Sequence, residues 1–189
     1  MRTLVATALG TTLALAVAPD VRAEERPAPT IATDLGVGVT RVLETNSYLA
    51  SAYQVLALSA RARMRIPDTH FSISATFEHF QQLSSQNQIG FSFESIHGAL
   101  GYEIDIRRFV LRPEVLLGYG IPTPHVSDPN ADPGDTSGGV DYGGALTMTW
   151  PRDGSWFLGA DAQILHKSMS DGALTFFTAS ADFGLRWTL

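Results

Sequence analysis

Three features of this 189-residue sequence predict an all-β fold: a single antiparallel eight-stranded transmembrane β-barrel preceded by a cleaved signal peptide. The first is the segment Leu174 to Leu189, where Phe177, Ala179, Ala181, Phe183, Leu185, Trp187 and Leu189 alternate with Phe176, Thr178, Ser180, Asp182, Gly184 and Arg186. A strand lying between lipid and a polar lumen must alternate residue by residue in this way. The second is that the same alternation recurs in eight segments, near 31–43, 52–65, 69–80, 89–104, 109–121, 140–150, 155–166 and 174–188. The third is that the links alternate in character, tight turns being followed by longer polar loops.

Taken in order, residues 1–23 read as a secretory signal peptide, with Arg2, an apolar run from Leu4 to Ala18 and Val21-Arg22-Ala23 before the cleavage point. Residues 24–30, acidic and proline-rich, form a flexible amino-terminal lead-in, and 31–189 form the barrel. In the second strand Leu56, Leu58, Ala60, Ala62 and Met64 oppose Ala57, Ser59, Arg61 and Arg63. In the third, Phe71, Ile73, Ala75 and Phe77 oppose Ser72, Ser74, Thr76 and Glu78. The fifth sets Leu111, Val115, Leu117 and Tyr119 against Arg112 and Glu114, and the seventh sets Trp156, Leu158, Ala160, Ala162 and Ile164 against Asp161 and Gln163.

The fourth strand departs from this pattern. Phe91 and Phe93 have the opposite parity to Leu100 and Tyr102, and a bulge or a later strand start near Ser95 would restore one apolar face. Ile66-Pro67-Asp68, Asp105 to Arg108 and Pro151-Arg152-Asp153-Gly154 are the tight turns. That order places both termini on the periplasmic side and the longer loops outside.

Composition excludes several classes. No cysteine is present, so neither a disulfide framework nor a lipid-modified amino-terminal cysteine is available. Net charge is −6, Lys167 is the only lysine, and loss of Arg2, Arg22 and Asp20 with the signal leaves the balance more acidic still. Nucleic acid is not an expected partner of such a chain.

Charge keeps to one face of the strands, which makes it the lumen face. Asp34, Arg61, Arg63, Glu78, Glu103, Arg112, Glu114, Asp161, Asp182 and Arg186 are the expected lumen ion-pair network. Eight strands enclose an interior that side chains fill, and buried ions cost several kcal/mol unless paired, so these charges should pair and close the pore. A soluble barrel binding a hydrophobic ligand would show the same alternation turned inside out. Trp150, Trp156 and Trp187 favour the membrane arrangement, since all three fall at one rim, where an aromatic girdle meets the lipid interface.

Gly98-Ala-Leu-Gly-Tyr102, Leu111-Arg-Pro-Glu-Val-Leu-Leu-Gly-Tyr-Gly120 and the closing Ala181-Asp-Phe-Gly-Leu-Arg-Trp187 resemble the small eight-stranded outer-membrane barrels of the outer-membrane protein A and X type. The resemblance spans the expected mature chain. It implies a porin-like β-barrel in the outer membrane of a Gram-negative cell envelope, surrounded by outer-membrane lipid and lipopolysaccharide. Its role would be structural or surface-interacting, through acidic outer loops that could hold a surface ligand.

Two sites invite chemistry. His166 and Ser168 share one face of the seventh strand, with Asp182 downstream, similar to the His-x-Ser pair of outer-membrane lipid A deacylases. Asp182 has the opposite parity, however, and a catalytic set cannot span the barrel wall. Asp128, Asn130 and Asp132 space oxygen atoms as a calcium loop does, but Pro133 occupies the glycine position and Gly139 the bidentate glutamate position. His70, His79, His97 and His125 show no ligand spacing. The sequence therefore predicts a non-enzymatic barrel with no cofactor and no metal, whose binding surfaces are 46–51, 81–88, 125–139 and 167–172.

Overall fold

In the computed structural model, which describes residues 30–45, 55–82, 89–126, 137–169 and 172–188, the chain forms nine antiparallel strands. They are β1 (Thr30–Thr45), β2 (Val55–Arg65), β3 (Phe71–Gln82), β4 (Ile89–Tyr102), β5 (Ile104–Ile106), β6 (Phe109–Val126), β7 (Gly139–Trp150), β8 (Trp156–Met169) and β9 (Gly172–Thr188). β5 continues the course of β4 beyond Glu103, and both pair with β6, so the barrel has eight staves. Each stave pairs with its neighbours in the sequence, and β1 pairs with β9 from Thr30↔Thr188 to Thr45↔Leu174. Closure leaves no full-length edge strand, which satisfies the backbone without water.

Binary pattern determines which way the wall faces. Leu35, Ile96, Val115 and Leu117 are each more than 60% exposed on the outer surface, while Asp34, Arg61, Glu78, Arg112, Glu114 and Asp161 are buried inside. The apolar-inside arrangement of a soluble carrier is therefore not what the chain adopts. One end holds the short links 66–70, 107–108 and 151–155 together with the start of β1 and the end of β9, and is called the turn end below. Arg107, with φ 53°, takes the left-handed conformation that a two-residue hairpin requires.

Two expectations are corrected. No bulge occurs near Ser95: the β3–β4 register runs without a break from Phe71↔Tyr102 to Gln81↔Ser92. Phe93 instead points inward and is buried, because Phe80 and Phe176 point into the same end of the lumen and give it an apolar neighbourhood. The side chain of Phe91 lies outside the described residues.

β6 also runs five residues further than expected, through Pro122 and Pro124. Pairing with β7 stops at Gly120↔Gly139, whereas pairing with β4 continues to Ile89↔Val126. The prolines therefore sit where β6 is locally an edge, the place in a sheet where a residue without an N–H is tolerated.

Candidate functional site in the barrel lumen

The lumen is layered. At the end opposite the turns Phe80, Phe93 and Phe176 form a buried cluster with Ala57 and Leu174. The Phe80 and Phe176 rings stack at 5.9 Å between centroids, and Phe93 meets Phe176 edge-on at 5.5 Å. Each such pair contributes about 0.5–1.5 kcal/mol beyond the area it buries.

Beneath the phenylalanines lies a polar ring. Lys167 Nζ sits 5.3 Å and 5.8 Å from the Phe80 and Phe176 ring centres and donates to Asp141 Oδ2 at 2.5 Å and to Ser95 Oγ. His97 Nε2 donates to the same Asp141 oxygen at 3.2 Å, and its Nδ1 lies 3.6 Å from Glu78 Oε2. Gln163 donates to Glu78 Oε1 at 2.7 Å. Lys167 and Gln163 are four residues apart on one face of β8, so the contacts run from β8 through β7, β4 and β3 and back to β8.

This ring exists because β6 supplies Gly118-Tyr119-Gly120. A Cβ on Gly120 would lie 2.6 Å from Asp141 Oδ2 and 3.0 Å from Lys167 Nζ, and one on Gly118 would collide with the Ile96 carbonyl oxygen and lie 2.5 Å from the His97 ring.

In the middle layer Arg61 reaches Asp161 at 3.5 Å and Asp34 at 4.0 Å, and donates to Thr147 Oγ1, which in turn donates to Asp161 at 2.8 Å. Arg63 bridges Asp34 at 3.8 Å and Glu114 at 3.7 Å. Nearer the turn end Arg112 donates to Glu103 Oε1 at 2.7 Å and lies 3.9 Å from Glu114, while Arg65 also approaches Glu103, at 3.3 Å.

The sequence matches no protein-family model and no curated protein. Solved structures match it over nearly their whole length. Neisserial surface protein A superimposes with a TM-score of 0.65 at 11% identity, covering 87% of this chain and 100% of that one. Ail of Yersinia pestis, in its complex with the heparin analogue sucrose octasulfate, gives 0.56 at 12% identity over 84% and 100%. A major outer membrane protein from Thermus thermophilus gives 0.53 at 9% identity over 85% and 100%. The fold is that of the small eight-stranded outer-membrane barrels. Identities this low establish the fold of the barrel and nothing of its ligands.

Of the ten residues expected to pair in this barrel's lumen, eight have an ionic partner within 4 Å, if Glu78 is counted through His97. Asp182 and Arg186 have no such partner among the described residues. Asp182 is buried beside Ser180, whose hydroxyl donates to it at 3.4 Å. Arg186 stacks over Phe157 at 5.1 Å and donates to the main-chain carbonyls of Pro151 and Arg152, because the 151–155 link folds beneath it.

Three members of the polar ring escape a reading by charge alone. Lys167, expected in an outer loop, belongs to β8 and points inward, since the strand keeps its alternation to Met169. Asp141 and His97 are its inward partners on β7 and β4. The signal was present in the sequence: Lys167 shares parity with Asp161 and Gln163.

His166 and Ser168 lie on the outer face of the barrel. The His166 Nδ1 and Thr175 Oγ1 atoms are 3.2 Å apart, and the imidazole leans on Tyr142, while the carboxylate of Asp182 is inside the wall. Trp150 and Trp156 meet edge-on at 6.1 Å, and with Trp187 they stand exposed at the turn end. The acidic segment Asp128 to Asp135 lies outside the described residues, as do most of the expected binding loops.

Proposed function

We propose that this barrel is a non-enzymatic integral protein of a Gram-negative outer membrane, with the turn end in the periplasm, the lumen closed by ion pairs, and a structural or surface-interaction role exercised by the outer loops. One observation carries the reading: a continuous apolar outer wall surrounds a charged interior. Exposed apolar area of that extent is unstable in water and is matched by lipid hydrocarbon. Trp150, Trp156 and Trp187 then lie at the inner-leaflet interface as a girdle, and outer-leaflet lipid and lipopolysaccharide surround the opposite end.

Two features support closure: charges pair in the middle layers of the lumen, and the phenylalanine cluster caps them at the end opposite the turns. Binding falls to the loops, which tolerate change because the strands satisfy their own backbone. That Ail, which shares this fold, was crystallised in complex with a heparin analogue supports ligand binding by a barrel of this architecture. The acidic run Asp128, Asp132 and Asp135 points here to a cationic partner rather than a sulfated one.

A hydrolase built on His166 and Ser168 would need its acid on the outer face, where Asp182 is not. The test of the main reading is membrane fractionation followed by gel migration of detergent-extracted protein, boiled and unboiled. Recovery with the outer membrane and a mobility shift on boiling are expected. Release without detergent and no shift would overturn the proposal.

A further inference from the structure

At the turn end the lumen widens into a cavity of about 620 Å³, and its lining is unlike the rest of the molecule. The chain carries a net charge of −6 with 13 basic residues. Five of them, Arg63, Arg65, Arg112, Arg152 and Arg186, line this one cavity against three carboxylates, Glu103, Asp105 and Asp153. Glu114, which reaches Arg63 at 3.7 Å and Arg112 at 3.9 Å, is shared by both.

Internal pairing leaves this charge incompletely answered. Arg65 and Arg112 share Glu103, Arg63 shares Asp34 with Arg61, and Arg152 lies 3.5 Å from Asp105 and 3.8 Å from the exposed Asp153. Arg63 is 5% exposed and Arg112 is 3% exposed, yet Arg63 Nη2 and Arg112 Nη1 have no hydrogen-bond partner among the described residues. Arg186 spends Nη1 on neutral carbonyls and faces no carboxylate within 4 Å among the described residues. A concave site in which one sign of charge predominates, with protein walls that screen poorly, concentrates ions of the opposite sign. Guanidinium groups are matched in geometry to carboxylate and phosphate.

We propose that this vestibule is a binding site for an oxyanion, the carboxylate or phosphate group of a small molecule reaching the barrel from its turn end. The site is separate from the outer loops, and it is tested on detergent-extracted barrel, where sidedness and loop partners play no part.

The experiment is calorimetric titration of the full protein in zwitterionic detergent with pyrophosphate and with citrate, using tryptophan fluorescence as a second readout because Trp187 borders the cavity. Saturable binding that weakens with added salt is expected. Arg63→Gln and Arg152→Gln should each weaken it about tenfold, equivalent to about 1.4 kcal/mol. Arg41→Gln, exposed at the far end of β1, should leave it unchanged.

Arg152 is at the rim with its side chain 34% exposed, so Arg152→Gln carries the test if Arg63→Gln loses the boiling shift. Absence of saturable binding for both anions, or equal losses in the Arg41 and Arg152 variants, would overturn the proposal. Repeating the titration in nanodiscs separates the sources. Competition by phosphatidylglycerol relative to phosphatidylcholine assigns the oxyanion to a lipid headgroup; equal binding in both assigns it to a free solute. Either result retains the site.

Discussion

Lys167→Met tests whether the polar ring is one energetic unit. The substitution keeps an unbranched side chain of similar length beneath Phe80 and Phe176 but removes the ammonium that lies 2.5 Å from Asp141. The side chains of this pair are 2% and 1% exposed, so solvent cannot compensate the carboxylate left behind, which keeps the His97 Nε2–H at 3.2 Å. Removing one member of a buried pair costs about 3–5 kcal/mol, chiefly because its partner is stranded. A thioether against two aromatic rings returns about 0.3–1.5 kcal/mol, leaving a net loss of about 2–4 kcal/mol.

Adding Asp141→Asn removes the stranded charge, and the double variant should then lie within about 1–2 kcal/mol of the wild type, the worth of the hydrogen bonds lost. Asp141→Asn alone strands the ammonium and costs about as much as Lys167→Met, so the resulting coupling is about 3–6 kcal/mol. Urea titration of the barrel in lipid vesicles, scored by gel migration and tryptophan fluorescence, measures all four corners of the cycle. If the double variant loses the sum of the two singles to within about 0.5 kcal/mol, the pair is uncoupled and the reasoning fails.

Because Lys167 is the only lysine and is 2% exposed, folded barrel treated with an amine-reactive ester should be labelled at its amino terminus alone, and boiled protein at Lys167 as well; mass spectrometry that finds Lys167 modified at equal rates in both would refute its burial. Gly118→Val should abolish the boiling shift, since its Cβ would collide with the Ile96 carbonyl oxygen, whereas Gly98→Val, with nothing nearer than 3.9 Å, should retain it; equal behaviour would show that space on the lumen side is not limiting. With Trp150, Trp156 and Trp187 at one rim, lipids brominated near the headgroup should quench tryptophan fluorescence more strongly than lipids brominated near the chain ends, and the reverse order would move the girdle off the interface.

Much of this fold is legible because a barrel wall has only two sides. Period-two alternation determines both the face and the register of a strand, and a slip of one residue would place Arg61 or Glu114 in lipid. What alternation cannot show is how far inward apolar residues accumulate at one end of the lumen. Phe80 and Phe93 face each other across the β3–β4 hairpin, but Phe176 comes from β9 and only closure brings it to them; Phe93, read alone, looks like a register error. The polar ring was hidden for a related reason. Lys167 lies just beyond His166, where loop-like residues begin, and His97 becomes a partner for Asp141 only through β4, β6 and β7 lying side by side. Arg186 shares the parity of the charged residues, yet pairs with backbone carbonyls that only the fold of the 151–155 link supplies.

The vertical order of the lumen bears on what such a barrel can do. Each charged layer joins strands that do not neighbour one another: Arg61 on β2 reaches Asp161 on β8, and Arg63 on β2 reaches Glu114 on β6. Backbone ladders fix only adjacent strands, so these cross-lumen contacts are what resist flattening of the closed wall. The same contacts occupy the space a channel would need. Stability of the eight-stave barrel and conduction through it therefore compete for the same volume, and in this chain the layers from Phe80 down to Arg61 are committed to stability. Only the turn end, where five arginines line an open cavity, keeps charge that internal pairing does not fully answer, so there alone in the described lumen can binding be added without dismantling the fold.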